Sequence, residues 1–199
     1  MLKKRLELHI AEALKVNEGN ISLYKEESDY AEKHGLIPTG VKVTEIEGNT
    51  RFDGAYLERA DKETEELVVE TPKLLEEQVE RLKRYRREFV YIESTAFDII
   101  GVDAISLELD DVFETYTAMF GLKLQKKYES DIKAYFDEHL TGEESKYSIA
   151  FSMKDGLWDV NFAISYAYGF SEEMTLLEAY QLTFRFIFSL IEQIEAIES

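Results

Sequence analysis

The chain has 199 residues, of which 45% are hydrophobic and 13% aromatic, and it contains no cysteine. This length suits a single domain that buries roughly 70% of its unfolded surface, which excludes a disordered chain. The missing cysteines exclude disulfides, thiol catalysis, Cys-ligated zinc and iron–sulfur clusters. A net charge of −18 repels nucleic acid and anionic lipid and favours basic partners.

From the N-terminus, Leu2, Leu6, Ile10 and Leu14 recur at helical spacing and predict a helix over 2–16. The first residues are basic, but Glu7, His9 and Glu12 interrupt any signal-peptide core. A second helix is expected over 22–34, closed by Gly35. The period then changes to two. Residues 41–47 and 52–59 read as a hairpin turning at Gly48-Asn49, and 66–70 as a third strand. Pro72 opens an expected helix over 72–88, with Leu75, Val79 and Leu82 facing inward. Residues 89–93 read as a strand, and 94–109 give no clear pattern. Asp110 or Asp111 caps an expected helix ending near Gly121, and a further helix is expected over 122–140.

The strongest hairpin signal is Asp155-Gly156 between two alternating stretches, 146–153 and 158–168. A two-residue type I′ turn there sets Met153 opposite Trp158, Phe151 opposite Val160 and Ile149 opposite Phe162. All the large apolar residues then share one face, and Ser148, Ala150, Ser152, Asp159 and Asn161 share the other. The last helix, 175–197, opens with a capping box from Thr175 and Glu178. It is apolar on more than one side, so it belongs either in the core or in an interface between copies of the chain.

These elements predict one α+β domain over 1–199, with antiparallel hairpins in one or two sheets packed against helices and the C-terminal helix in the core. The apolar run 182–191 is broken by Arg185 and is too short to span a bilayer. The expectation is a cytoplasmic protein that binds neither membrane nor nucleic acid.

Little in the sequence carries chemistry. No phosphate-binding glycine loop, nucleophile elbow, H-E-x-x-H or EF-hand pattern occurs. His9 and Glu12 lie one helical turn apart, but two ligands do not make a metal site. Asp103, Glu108, Asp110, Asp111 and Glu114 match no known cation loop, and capping accounts for aspartate at a helix start. No catalytic residue, metal or cofactor is assigned. The one basic cluster holds Arg81, Lys83, Arg84, Arg86 and Arg87, of which Arg81, Arg84 and Arg87 are the candidates for gripping an anion. The small face of the 146–167 hairpin offers Asp159 and Asn161. Together those three arginines and these two residues are the candidate ligand site, placed between that hairpin and the 72–88 helix.

Three function classes stand beside one another. The leading expectation is a non-enzymatic interaction or regulatory protein, self-associating through the C-terminal helix or binding a basic protein. The alternatives are a small-ligand binder or enzyme using the site above, and an acidic mimic of nucleic acid.

The stretches Gly121-Leu122-Lys123-Leu124-Gln125-Lys126-Lys127 and Gly156-Leu157-Trp158-Asp159-Val160-Asn161-Phe162-Ala163 resemble a family of short, uncharacterised proteins from Bacillus-type bacteria. Members sometimes carry a branched-chain aminotransferase label. The chain is too short for the usual two-domain aminotransferase and shows no phosphate-gripping loop with a Schiff-base lysine. The resemblance therefore implies no site residue and no pyridoxal phosphate.

Overall fold

A computed structural model describes residues 1–17, 19–64, 66–142 and 146–198. In chain order the elements are α1 (Leu2–Val16), β1 (Asn20–Leu23), α2 (Lys25–Lys33), β2 (Lys42–Glu45), β3 (Tyr56–Asp61), β4 (Leu67–Val69), α3 (Arg81–Arg84), β5 (Glu88–Glu93), β6 (Val102–Leu109), β7 (Tyr116–Leu122), α4 (Glu129–His139), β8 (Tyr147–Ser152), β9 (Leu157–Ala163) and α5 (Leu176–Glu198). Seven strands form one sheet in the order β4-β3-β5-β6-β7-β9-β8, every pairing antiparallel. The short strands β1 and β2 pair parallel to each other in a separate unit. The chain is thus α+β, with its long C-terminal helix inside.

Alternation decides which face of the sheet is covered. Val90 and Ile92, Ile105 and Leu107, Ala118 and Phe120, and Val160 and Phe162 all point to one side and are buried. Against them lies α5, whose Tyr180, Phe184, Ile187, Leu190, Ile191 and Ile194 are also buried. The Phe186 ring stacks on Phe162 with centroids 4.7 Å apart and planes 16° from parallel, and Phe136 of α4 stacks on both. Leu2, Leu6 and Ile10 of α1 close the same core. Burying each such side chain contributes about 1.5–3 kcal/mol relative to leaving it in water.

The capping box at the start of α5 forms as expected. The Glu178 N–H donates to Thr175 Oγ1 (3.2 Å), and the Thr175 N–H donates to the Glu178 carboxylate (2.7 Å). All the large apolar stripes of α5 are used inside the chain; of its large apolar residues only Ile197, in the last turn, is exposed. The apolar surplus that suggested self-association through this helix is therefore met by the chain's own sheet.

Several expected elements differ. The 146–168 hairpin forms with its two faces as predicted, but its register is two residues away. Phe151 pairs with Trp158, Ile149 with Val160 and Tyr147 with Phe162, leaving residues 153–156 as the loop. Gly156 alone takes positive φ (+70°), and its N–H returns to the Ser152 carbonyl over 2.8 Å. Ser152 Oγ and Asp155 bond within this loop (2.7 Å), which holds the longer turn and leaves Met153 exposed. A slip of two keeps every side chain on its face, because the strand period is two.

The expected 41–59 hairpin is not formed. β2 pairs with β1, Gly48–Thr50 makes a short 3₁₀ turn, and β3 pairs with β4 and β5. The expected second helix begins later, because residues 20–23 are spent on β1. The 72–88 helix is also corrected. Pro72–Glu76 is a 3₁₀ turn, and α3 is only four residues long. Between them the chain joins the start of α5 instead: the Val79 N–H donates to the Met174 carbonyl and the Leu176 N–H to the Glu77 carbonyl, both at 2.8 Å. The helix expected near 110–121 is strand β7, and the unreadable 94–109 stretch contains the central strand β6. Leu122 completes β7, so the helix expected over 122–140 shortens to α4.

Candidate functional site

All the α-helices of any length lie on one side of the seven-stranded sheet, and the opposite face is open. Cross-strand rows run over it. One row, Val69, Glu58, Tyr91, Ser106, Met119, Asn161 and Ser148, crosses all seven strands. Beside it run Leu67, Ala60, Phe89, Glu108 and Thr117. Tyr56 pairs with Glu93 toward the other end. Apart from the small Ala60 and Ala163, these side chains are half-buried or exposed; Tyr56, Leu67 and Val69 are 44%, 58% and 68% exposed. Antiparallel sheets commonly leave one face to solvent, but such a face is then usually polar. Here tyrosines, Phe89, Met119, Leu67 and Val69 interrupt that pattern.

At the strand positions of this face the charges have one sign, and the lysines beside it, Lys62 and Lys146, lie outside the strands. Glu58, Glu93, Glu108 and Asp159 occupy outward strand positions, and no lysine or arginine does. Burial raises the Glu108 carboxyl above its ordinary value, and Lys62, 3.7 Å away at the rim, pulls it back. Lys62 also donates to the Leu109 carbonyl (2.6 Å) and approaches Asp111 (3.6 Å), so it is held at the edge. A shallow recess of about 270 Å³ opens between Met119, Asn161, Ser148 and Phe113.

The loop over that recess is built by its first residue. Asp110 Oδ1 accepts the N–H groups of Val112 and Phe113, each at 2.8 Å, so Asp110 caps a turn rather than a helix. Glu114 takes positive φ (+53°) and is held by Arg86 at 2.8 Å. Val112 is left 80% exposed at the tip.

The five candidate ligand residues are not brought together. Asp159 and Asn161 point outward from β9 on the open face. Arg81 is buried on the covered side, donates to Glu88 (2.9 Å) and lies 4.2 Å over the Tyr85 ring. Arg87 is bound to Glu63 and lies near Asp61. Arg84 is exposed in α3. β5, which follows these arginines, is separated from β9 by β6 and β7, three inter-strand steps or about 14 Å.

The acidic cluster is dispersed as well. Asp103 pairs with Lys123, Glu108 and Asp111 with Lys62, and Glu114 with Arg86. Among the described residues, no three histidine, aspartate or glutamate side chains converge as a metal-binding group. No helix among them is long and apolar enough to cross a membrane.

The open face was partly legible. The small side of the hairpin shows in the spacing of residues 148–161; its continuation over β3 to β7 needs the sheet order as well. The signal lay in the alternation of Ile105, Leu107 and Leu109 with Ser106 and Glu108, and of Ala118 and Phe120 with Thr117 and Met119. Comparison with protein-family models, with curated proteins and with solved structures finds no match to this chain.

Proposed function

We propose that the protein is a non-enzymatic interaction protein that docks a basic partner protein on the open face of its sheet. The observation that carries this reading is the composition of that face. Aromatic and aliphatic side chains supply area to bury, and every charge at a strand position is negative. Interfaces gain their energy from such apolar anchors, while the surrounding charges steer and select the partner. A second copy of this chain would bring Glu58, Glu93, Glu108 and Asp159 against the same carboxylates, so charge favours a partner of opposite sign. A nucleic-acid mimic would need a continuous array of carboxylates, whereas here they are spaced among Tyr91, Met119 and Phe89.

Affinity capture from the native cell, run with the wild-type chain and with a Glu58→Lys/Met119→Lys variant, tests the proposal. Both substitutions sit on the open face and leave the core alone. The expected result is a basic protein held at low salt, released as salt rises, and absent from the variant. Retention of the same partner by the variant overturns the assignment to this face.

A further inference from the structure

On the helical side of the molecule, remote from the open sheet face, a cleft of about 500 Å³ lies between the end of β2 and the middle of α5. That is within the size range of small-molecule sites. Tyr24 and Ile46 supply apolar wall, and Glu45, Glu47, Arg51 and Arg185 supply charge.

The charges in it are not all spent. The Arg51 guanidinium is bound to Glu26 (2.7 Å) and Glu27 (2.6 Å), and it is stacked between the rings of Tyr24 and Phe184. Lys25 is paired with Asp29. What remains is Arg185 on one wall and Glu45 and Glu47 on the other. Of the eight arginines in the sequence, six make a hydrogen bond or ion pair through the side chain. Among the described residues Arg84 and Arg185 make none. A chain with 41 acidic residues has no shortage of partners, and two of them line the same cleft as Arg185 without closing on it.

The backbone explains the gap. Gln181, one turn before Arg185, donates to the Gly48 carbonyl, and a Cβ on Gly48 would come within 3.3 Å of the Gln181 side chain. This close approach pins the segment after Glu47 to α5. Arg185 is then held about 6 Å further along the helix axis.

We propose that this cleft binds a small zwitterion, an α-amino acid with an aromatic or other apolar side chain, its carboxylate on Arg185, its ammonium on Glu45 and Glu47, and its side chain against Tyr24 and Ile46. The planar guanidinium fork of arginine matches a carboxylate in two parallel hydrogen bonds. A simple anion would face two carboxylates, and a simple cation would leave Arg185 unmatched; a molecule carrying both charges satisfies both walls. The cleft shares no residue with the sheet face, so this inference stands or falls apart from the docking proposal.

Calorimetric titration of the full chain with phenylalanine, N-acetylphenylalanine and phenylalaninamide tests it. Phenylalanine is expected to saturate one site. Blocking its amine or its carboxylate is expected to weaken binding by about tenfold or more, the loss of one charge-assisted contact. Arg185→Gln, at an exposed and unpaired position, is expected to keep the wild-type melting temperature and lose the same factor; Glu47→Gln provides an independent variant on the opposite wall. Absence of saturation by phenylalanine, equal binding of the N-acetylated form, or undiminished binding by both variants overturns the proposal.

Discussion

The guanidinium of Arg51 donates to the Glu27 carboxylate across 2.6 Å, and the two side chains are only 3% and 2% exposed. Arg51 also lies 3.9 Å from the centre of the Phe184 ring, so this pair clamps the α2 and β1–β2 unit onto α5. Arg51 also holds Glu26 (2.7 Å), so it serves two carboxylates at once. Removing the arginine strands the buried Glu27 carboxylate, which typically costs about 3–5 kcal/mol, and Arg51→Met is expected to lower stability by about that amount in urea unfolding at neutral pH. A Glu27→Gln/Arg51→Met double variant is expected to recover part of the loss, since the carboxylate that remains, Glu26, is partly exposed to solvent.

A second long-range tie runs from α5 into the sheet. The Tyr180 hydroxyl donates to the Val90 carbonyl over 2.7 Å, and burial raises its pKa well above the ordinary value. Tyr180→Phe keeps the ring and removes the donor. The expected loss is about 1–2 kcal/mol, read as a shift of the urea midpoint with unchanged slope.

Glu108 connects stability to pH and to the open face. Burial raises its folded-state value above the unfolded one. Its contribution to stability is therefore fully present below the unfolded value and is lost as pH rises through the folded value. At neutral pH the ionised carboxylate is a cost to the free protein. Glu108→Gln is expected to raise the melting temperature slightly at pH 7 and to leave it unchanged near pH 4. The same substitution removes a charge from the docking face, so it is expected to weaken capture of the basic partner.

Two glycines separate backbone strain from crowding. Gly156 and Gly101 both hold positive φ, at +70° and +66°. Beyond Gly156 the space is open, whereas a Cβ at Gly101 would meet the Arg5 guanidinium at 2.3 Å. Gly156→Ala is expected to cost about 1–2 kcal/mol from the left-handed backbone alone. Gly101→Ala is expected to cost more, because Arg5 must also move and its hydrogen bond to the Lys123 carbonyl (3.2 Å) is endangered. Thermal unfolding of the two variants side by side checks the order.

What the sequence by itself determined was local: the first helix, the final helix with its Thr175–Glu178 cap, and the two faces of the last hairpin. Each is written into the spacing of apolar side chains over a few turns, or into a turn residue whose backbone freedom is needed on the spot. The tertiary structure decided what those spacings could not express. Strand β2 pairs with β1 instead of turning back on β3, residues 77–79 bond to the start of α5 instead of staying helical, and the central strands β6 and β7 form where a capped helix was expected. Non-local hydrogen bonds carry no periodic signature in the chain, yet they outweigh weak helix preferences once an apolar sheet is there to accept them. The same holds for the candidate sites. Only folding sets Glu58, Tyr91, Met119 and Asn161 in one row, and only folding places Arg185 across a gap from Glu45 and Glu47.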